Sequence, residues 1–314
     1  MTNRIPYNRM TYNEQGKRTS LENLAGQVTA TAWDGCFAYA NNTRSELTNA
    51  VAAIDAEYRY AYDFDDIGNR ETSSERGTNA VYVANQLNWY CSITTLTSDV
   101  GLQTSSFSPQ FDDDGNQTLV KTATGIWQVQ YNGENRPVLW TLINSSTPNS
   151  STPTLISMSF DRQGRRVTKN NQRFVYDGYL QVASFDVSAT NSQLFIWDPT
   201  EPVATRPLVW NRSGASSIYT HDGNKNVSEV VDTDKKIEAH YEYAPFGAMS
   251  QAVGESAYRN FWRFSSEYAD DDTSLIYYNY RHFDSRFARW YRNNGYSLET
   301  EGNGGRHFRY VKAR

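Results

Sequence analysis

An aromatic residue followed by any three residues and a glycine recurs along the chain, and this repeat most constrains the fold. The stretches are "YNEQGK", "FDDIGN", "FDDDGN", "FDRQGR" and "YTHDGN", which start at Tyr12, Phe64, Phe111, Phe160 and Tyr219. Successive starts are 52, 47, 49 and 59 residues apart. A period of this size is typical of repeat architectures, in which each unit packs mainly on its neighbours.

Each unit is predicted to form a strand, a tight turn and a second strand. Glycine and Asx residues adopt the positive φ that such turns require. The stretch "WQVQYNGENRPVLW" alternates apolar and polar residues around Asn132-Gly133, and "QRFVYDGYLQVASFD" has Asp177-Gly178 between two aromatic-rich arms. The sequence therefore predicts an all-β protein, an open, spiralling array of antiparallel β-hairpins. Its turns are predicted at Gly16, Gly68, Gly115, Gly133, Gly164, Gly178 and Gly223.

Helical patterning is sparse. The best candidate is "SELTNAVAAIDAEYRY", residues 45–60, with Leu47, Val51 and Ile54 near helical spacing and Ser45 as a candidate N-cap. The end of this stretch fits a strand equally well. The polar tract "NSSTPNSSTP", residues 144–153, is predicted to be a surface loop.

Composition excludes several classes of protein. The 314 residues have a mean hydropathy of -0.71 and an aromatic share of 14%. No stretch approaches the roughly 18 consecutive apolar residues of a spanning helix, and the aromatic content opposes disorder. A net charge of -5 without a basic stripe disfavours nucleic-acid binding. The start, "MTNRIPYNRM", has no apolar segment typical of a secretory signal.

Metal binding is not predicted for the acids of "FDDDGN". A calcium loop needs acids at alternating positions and a distal glutamate, which this stretch lacks, so Asp112 to Asp114 are interpreted as decorating the turn. Cys36 and Cys91 could form one disulfide but are too few for a four-thiolate zinc site. They are predicted to be buried free thiols. No cofactor is predicted.

At this point the sequence resembles a known family. The repeats resemble the YD repeats of Rhs-type proteins, which include bacterial polymorphic toxins, insecticidal toxin-complex C components and teneurins. The stretches "NKNVSEVVDTDKKIEAHYEYAPFGAM" and "YRNFWRFSSEYADDDTSLIYYNYRHFDSRFARW" resemble the Rhs repeat-associated core. The matching positions form three blocks: Tyr241, Tyr243, Pro245, Phe246 and Gly247; Arg263, Phe264, Ser265 and Glu267; and Tyr277, Tyr278, Arg281, Asp284, Arg289 and Trp290.

The resemblance implies a YD-repeat array over residues 1–218 and a core domain over residues 219–314 that is truncated or degenerate at its end. In the family such arrays spiral into a hollow β cocoon. A partial array is expected to leave sheet edges and one concave aromatic face exposed. The implied partners are other YD-repeat chains or a toxin cargo domain, and the implied location is extracellular or on the cell surface.

The sequence departs from the family after Trp290. Asn294-Gly295 stands where the family has an Asp-Pro pair whose aspartate is associated with self-cleavage, and no second such motif follows. An amide cannot replace a carboxyl group in proton transfer. Glu299 and Glu301 lie in a polar, glycine-flanked stretch that is a poor setting for a catalytic acid. The chain is therefore predicted not to cleave itself.

No residue is assigned a catalytic, cofactor-binding or metal-binding role. The histidines occur singly and are interpreted as packed or surface residues, and no G-x-S-x-G motif is present. Asp270 to Asp272 are interpreted as a polar turn, because the sequence cannot place a pair of glycosidase carboxylates. Glu267 and Arg281 are predicted to form either a buried ion pair or an ordinary surface pair. The histidines are His221, His240, His282 and His307.

The leading hypothesis is a non-enzymatic, structural segment of an Rhs-type shell without its toxin. One alternative is a surface protein whose aromatic side chains bind carbohydrate or a partner protein. A second alternative is an autoproteolytic core domain with a divergent active site.

Overall fold

A computed structural model describes residues 8–14, 18–23, 37–52, 57–97, 103–146, 153–187, 192–200 and 206–291. Within these ranges the chain forms antiparallel β-sheets and no α-helix, and one 3₁₀ turn spans Phe264–Ser266. This confirms the predicted all-β hairpin array. None of the described residues forms a helix long and apolar enough to cross a membrane. The chain divides into two compact units between Ser108 and Pro109.

The first unit contains a nine-stranded sheet whose strands follow one another in chain order. Its buried side chains are mainly aromatic, including Phe37, Tyr60, Tyr62, Tyr82 and Tyr90. The strands are β1 Asn8–Tyr12, β2 Arg18–Asn23, β3 Phe37–Asn41, β4 Leu47–Ala52, β5 Arg59–Phe64, β6 Arg70–Glu75, β7 Thr78–Ala84, β8 Tyr90–Thr97 and β9 Gln103–Phe107.

The second unit contains a 14-stranded sheet, again in chain order, and a separate four-stranded sheet. The larger sheet consists of β10 Gln110–Phe111, β11 Gln117–Lys121, β12 Gly125–Tyr131, β13 Pro137–Ser145, β14 Leu155–Phe160, β15 Arg166–Lys169, β16 Gln172–Asp177, β17 Leu180–Asp186, β18 Ser192–Trp197, β19 Pro207–Arg212, β20 Ala215–His221, β21 Val227–Asp232, β22 Ile237–Tyr243 and β23 Met249–Val253. The smaller sheet consists of β24 Tyr268–Asp270, β25 Leu275–Tyr278, β26 Arg281–Asp284 and β27 Arg289–Trp290.

Side-chain alternation explains why these segments form strands. In β12, Trp127 and Val129 are buried while Gln128 and Gln130 are exposed, so one face of the strand is apolar and the other is polar. Period-two alternation is the pattern of a strand with one buried face. The predicted boundary at 218/219 lies inside β20, and it stays a prediction.

The hairpin turns share one side-chain geometry. Asp112 shows it: its Oδ1 accepts from the N–H groups of Asp114 and Asn116 at 3.1 and 2.8 Å, and the Gly115 N–H donates to its backbone carbonyl at 3.0 Å. An Asx side chain that bonds to nearby backbone favours a turn over a continuing strand. The first residue of the turn is Asn42, Asp65, Asn85, Asp112, Asn132, Asp161 or Asp222, each accepting from the second and fourth N–H after it.

This geometry corrects the interpretation of Asp112, which forms the turn rather than decorating it. The residue three positions after the Asx has positive φ, and glycine is one of several residues found there. Gly115 has φ 80, but the equivalent residue is Asn135, with φ 59, in the turn of Gly133 and Lys225, with φ 65, in the turn of Gly223. The predicted turns at Gly68, Gly115, Gly133, Gly164, Gly178 and Gly223 are present, while Gly16 lies outside the described residues.

The last of the five aromatic anchors was placed two residues early. His221, and not Tyr219, directly precedes the turn-forming Asp222, in the position that Phe111 takes before Asp112. Tyr219 is instead a buried residue of β20. The spacing of aromatic to glycine is therefore a weaker signal than an Asx that directly follows the end of a strand.

The helix predicted over residues 45–60 is wrong. Ser45 has φ 72 within a turn, and the strands β4 and β5 cover residues 47–52 and 59–60 of the stretch. The strands on either side pair with β4 and β5, and this pairing outweighs the near-helical spacing of three apolar residues.

Two smaller predictions also need correction. Cys91 is exposed, because it lies on the outward face of β8, and Cys36 lies outside the described residues. The predicted loop at 144–153 begins later, since β13 continues to Ser145, and residues 147–152 lie outside the described part of the chain.

Candidate docking interface in the second unit

The small four-stranded sheet packs on the aromatic face of the large sheet. We call β10 to β23 the array and residues 254–291 the C-terminal module. One buried cluster joins Phe174 and Trp210 of the array to Trp262, Tyr268 and Tyr277 of the module. A second cluster combines array and module residues in the same way. The interface between array and module is therefore the largely aromatic core of this unit.

The aromatic face of this unit is buried, which corrects the expectation of an exposed concave surface. Trp127 and Trp140 are 0% exposed and Trp210 is 1% exposed. Leu275 and Tyr291 of the module pack in the cluster that contains Trp127 and Trp140. The tryptophans thus contribute apolar burial to the docking of the module.

An ion network crosses this interface. The Arg166 Nη1 lies 3.2 Å from the Asp270 Oδ2, and the Lys169 Nζ lies 2.6 Å from the Asp270 Oδ1. The Lys169 Nζ also lies 2.6 Å from the Oδ2 of the half-buried Asp272. Arg166 and Asp270 are 0% and 1% exposed. Two cations of β15 thus face two carboxylates of the module, so the buried charges are balanced.

Aromatic rings enclose the Arg166 guanidinium. Its Cζ lies 4.9 Å from the ring centre of Phe174, 4.6 Å from that of Tyr268 and 4.2 Å from that of Tyr277. Among the described residues, the Nε and Nη2 atoms have no hydrogen-bond acceptor. Attraction between the cation and the electron-rich ring faces takes the place of those hydrogen bonds.

The network sets the ionisation of the groups around it. Burial alone would raise the pKa of Asp270, but the adjacent Lys169 and Arg166 charges lower it to about 2. Burial, together with the Arg166 charge, lowers the pKa of His282 to about 3. The neutral His282 ring packs against Trp140, with ring centres 5.3 Å apart. At neutral pH Asp270 is therefore an anion and His282 a neutral packing residue.

Backbone N–H groups of the array also bond to the module. The pairing register shifts beside the turns that precede Gln117, Arg166 and Val227. The N–H of Val227 donates to the Arg263 carbonyl at 2.9 Å and that of Gln117 to the Tyr291 carbonyl at 3.4 Å. The Arg166 N–H donates to the Tyr277 hydroxyl at 3.1 Å. Three separate hairpins are thus joined to one module through equivalent donors.

Tyrosines of the array satisfy the carbonyls of the same three residues. A tyrosine near the end of a repeat strand buries its ring in the core. Its hydroxyl then donates to a backbone carbonyl that the shifted register leaves unpaired. Tyr131 donates to Gln117 at 2.9 Å, Tyr176 to Arg166 at 2.9 Å and Tyr243 to Val227 at 2.8 Å.

The end of the described chain is anchored in the array. Tyr291 is 6% exposed, and its hydroxyl lies 2.6 Å from the Asp284 Oδ2 and 3.1 Å from the Lys121 carbonyl. The Arg286 Nη2 donates to the same Lys121 carbonyl at 3.2 Å and pairs with Asp284 at 2.9 Å. Asp284 of the third matching block therefore positions the last turn of the module against β11.

The first two matching blocks touch at Gly247. This residue has φ 92, and a Cβ there would lie 2.5 Å from the ring of Phe264. The turn formed by Pro245, Phe246 and Gly247 therefore needs glycine both for its backbone and for the close approach of Phe264. The sequence pattern gave no sign that these two blocks are in contact.

Glu267 and Arg281 do not form the predicted pair. The Arg281 guanidinium lies 4.0 Å from the ring centre of Trp290, so it packs on the module's own last strand. Glu267 is half-buried, and desolvation raises its pKa to about 8. No charged partner within the described residues counters this desolvation.

His240 lies in a polar cluster on the opposite face of the array. Its Nδ1 lies 3.1 Å from the Glu229 Oε1 and its Nε2 lies 3.1 Å from the Glu242 Oε1. Burial opposes protonation, but the bonds to the two carboxylates raise the pKa of His240 to about 9. At neutral pH the imidazole is therefore protonated and cannot accept a proton, so the nearby Ser228 and Thr220 hydroxyls have no general base in His240.

For the remaining histidines and acids, the structure agrees with the sequence interpretation only in part. His221 packs beside Tyr219, with ring centres 6.4 Å apart, and His307 lies outside the described residues. Asp270 was interpreted as part of a polar turn, yet it is the buried end of β24. The described residues contain no group of three or more His, Cys, Asp or Glu side chains that could hold a metal ion.

Comparisons with known proteins agree with this fold. No family model matches the chain. A curated relative, "Double-stranded DNA deaminase toxin A" of Burkholderia cenocepacia (strain H111), is 26% identical over 163 residues, which are 46% of this chain and 11% of the relative. The crystal structures of TcdB2-TccC3-TEV and TcdB2-TccC3 each superpose with a TM-score of 0.62 at 13% identity.

The superposed region covers 93% of this chain but only 17% and 18% of those two solved chains. The chain therefore spans less than a fifth of each structure and about a tenth of the curated relative. At this identity the likeness shows the fold alone: the chain has the fold of the matching part of the TcdB2-TccC3 structures, built of open antiparallel sheets.

Proposed function

We propose that this chain is a non-enzymatic wall segment of an Rhs-type shell, in which the C-terminal module docks on the inner, aromatic face of the array and fixes its hairpins. The observation that carries the proposal is the buried network in which Asp270 of the module neutralises Arg166 and Lys169 of the array. The shell-like fold of the toxin-complex structures supports it.

The hydrogen bonds between module and array suit a module that holds several hairpins in fixed positions. Neighbouring hairpins of a repeat array contact mainly each other, so bending can accumulate along the array. The module bonds to the backbones of Gln117, Arg166 and Val227, which belong to β11, β15 and β21. A rigid connection among three distant hairpins would keep a wall segment at one curvature.

Further aspects of this role rest on the resemblance. We propose residues 1–218 as the repeat array and residues 219–314 as the core domain of such a shell. Its proposed partners are other repeat chains or a toxin cargo domain, and its proposed location is extracellular or on a cell surface. The partial sequence similarity to "Double-stranded DNA deaminase toxin A" and the fold similarity to the TcdB2-TccC3-TEV structure support these proposals.

Self-cleavage is not part of the proposed function. Asn294, Glu299 and Glu301, on which the prediction depends, lie outside the described residues. Among the described groups, Asp270 is tied to two cations and His240 to two carboxylates, so neither is free to transfer a proton.

Intact-mass measurement tests the non-enzymatic role. The purified chain should keep its full mass through days of incubation between about pH 5 and pH 8, the range in which a carboxyl-based reaction would operate. A discrete fragment ending within residues 290–305 would contradict the proposal if Glu299→Gln or Glu301→Gln abolished it. Asp113→Asn, an exposed turn position, is the matched control for a change of charge.

A further inference from the structure

The last strand of the array, β23, has a neighbour on one side. Among the described residues it pairs with β22, and no strand pairs with its other side. Its sequence, "MSQAV", has no charged residue and no proline, two features that commonly block an exposed edge. The Ser250 Oγ and the Gln251 Oε1 have no hydrogen-bond partner in the described part of the chain. Within that part, β23 is therefore an open sheet edge.

Earlier hairpins of the array show how such an edge is filled. At the start of the second strand of a hairpin, one backbone carbonyl faces the strand that follows. An aromatic residue at the end of that following strand, directly before the next turn, donates its ring N–H or O–H to this carbonyl. The donors are Tyr131 to Gln117 at 2.9 Å, Tyr176 to Arg166 at 2.9 Å, the Trp197 Nε1 to Gln181 at 2.9 Å and Tyr243 to Val227 at 2.8 Å.

Met249 has the same position after its turn and lacks this bond. It pairs with Tyr243, the residue directly before the turn, as Gln117 pairs with Phe111. Among the described residues, no side chain donates to the Met249 carbonyl. The register shift of β23 also occurs in β11, β15 and β21, and each of those strands pairs with a further strand. The shift therefore does not close the edge.

The backbone of β23 also presents a donor to this edge. Ala52 and Leu142 donate their N–H groups to the following strand at 3.0 and 2.9 Å. Each stands ten positions after the first residue of its turn. Because the N–H groups of a strand point alternately to its two sides, the residue eight positions after that first residue points the same way. In the turn that begins at Ala244, this residue is Ala252.

We propose that β23 is a docking edge for a repeat hairpin of another polypeptide chain. The occupant is an antiparallel strand that ends in tyrosine or tryptophan directly before a turn. Its ring O–H or N–H donates to the Met249 carbonyl, and its backbone pairs with Ala252. The site continues the contact that joins the earlier hairpins of the array. Their aromatic donors already bond within the array, so the strand belongs to another chain.

This inference deepens the proposed wall role and rests on it for the kind of partner chain. The two can fail separately, because self-cleavage would contradict the wall role without affecting strand pairing at β23. The probe is a synthetic peptide of residues 237–248, "IEAHYEYAPFGA", which contains the strand that caps Val227. Added to the isotope-labelled full-length chain, it should slow hydrogen exchange of the Ala252 amide at least about tenfold.

A matched peptide isolates the aromatic hydroxyl. The Tyr243→Phe peptide lacks the donor for the Met249 carbonyl and should bind about threefold to tenfold more weakly, as expected for one lost hydrogen bond. In the protein, Ala252→Pro removes the N–H at the open edge, where a sheet tolerates proline, and should abolish binding of both peptides without unfolding the chain. If this variant does not fold, the comparison of the two peptides with the wild-type chain remains decisive.

Three results would overturn the proposal. The first is no binding of the peptide at millimolar concentration. The second is equal affinity for the tyrosine and phenylalanine peptides, which would exclude the bond to the Met249 carbonyl. The third is a protected Ala252 amide in the chain without peptide, because the edge would then already be occupied by the chain itself or by a second copy.

Discussion

The Lys169 Nζ lies 2.6 Å from the Asp270 Oδ1, although 101 residues separate the two in the chain. Lys169 ends β15 in the array, and Asp270 ends β24 in the module. The pair, completed by Arg166, places three buried charges in an aromatic core. Such an arrangement is stable only when every charge has its partner.

Removing the carboxylate should therefore unfold the interface. Asp270→Asn keeps the volume but leaves Arg166 and Lys169 without a buried counter-charge, which typically costs about 3–5 kcal/mol of unfolding free energy. Denaturant unfolding of both proteins measures this. The control, Asp272→Asn, removes a 37% exposed partner of Lys169 and should cost under about 1 kcal/mol. Equal effects of the two substitutions would contradict the network.

Acid should lower the free energy of unfolding over a defined pH range. The pKa of Asp270 is lowered to about 2, so its contribution to stability is complete above the ordinary aspartate pKa of 3.8 and disappears as the pH falls towards 2. Melting temperatures between these limits should fall more steeply for the wild type than for Asp270→Asn. Parallel curves would show that folding does not lower the pKa of Asp270.

The aspartates of "FDDDGN" should contribute very differently to the free energy of unfolding. Asp112→Ala removes the two hydrogen bonds that the side chain accepts from backbone N–H groups of the turn. It should lower the unfolding free energy by about 0.5–2 kcal/mol, as for a lost capping side chain. Asp113→Ala changes an exposed residue and should cost under about 0.5 kcal/mol. Asp112→Asn should be tolerated, because Asn42, Asn85 and Asn132 occupy equivalent positions. A large rise in melting temperature with calcium would instead favour a metal site.

Two glycines of neighbouring turns should respond differently to the same change. Gly115 has φ 80, so Gly115→Val should cost about 1–3 kcal/mol. Gly133 lacks positive φ, and a Cβ there would meet nothing within 4 Å. Gly133→Val should therefore change the unfolding free energy by under about 0.5 kcal/mol. Comparable losses at both positions would refute the assignment of Asn135 as the positive-φ residue of the second turn.

Histidine titration followed by NMR should separate the half-buried ring of His240 from the buried ring of His282. His240 should titrate with a pKa of about 9, and the stability it contributes is complete below its ordinary value of 6.5 and lost as the pH rises through 9. His282 should stay neutral down to about pH 3. Titration of both rings near 6.5 would show that neither environment is as described. Glu242→Gln, which removes one His240 partner, should lower that pKa.

The sequence was sufficient for the strands and turns because their determinants are local. Alternation in β12 and the Asx residues at the strand ends act within a few residues, and both are visible in the printed sequence. The error at residues 45–60 arose where the pairing of β4 with its neighbours outweighed local spacing.

The docking interface could not be predicted in the same way. Lys169 and Arg166 have the sequence context of ordinary strand residues, and nothing local relates them to Asp270. The contact depends on how the module folds back on the array, which is a property of the whole unit. The tyrosine hydroxyls that cap carbonyls, such as that of Tyr131, follow from a register shift that the sequence pattern does not show.

Native-state hydrogen exchange tests most directly whether array and module form one braced unit. The amides of β24 to β26 should open with the same free energy as those of β15 and β16, and Asp270→Asn should lower both together. Asp272→Asn should leave both nearly unchanged. The contradicting result is exchange of the module amides through a separate opening of much lower free energy, while the array amides stay protected. The module would then not hold the hairpins of the array in place.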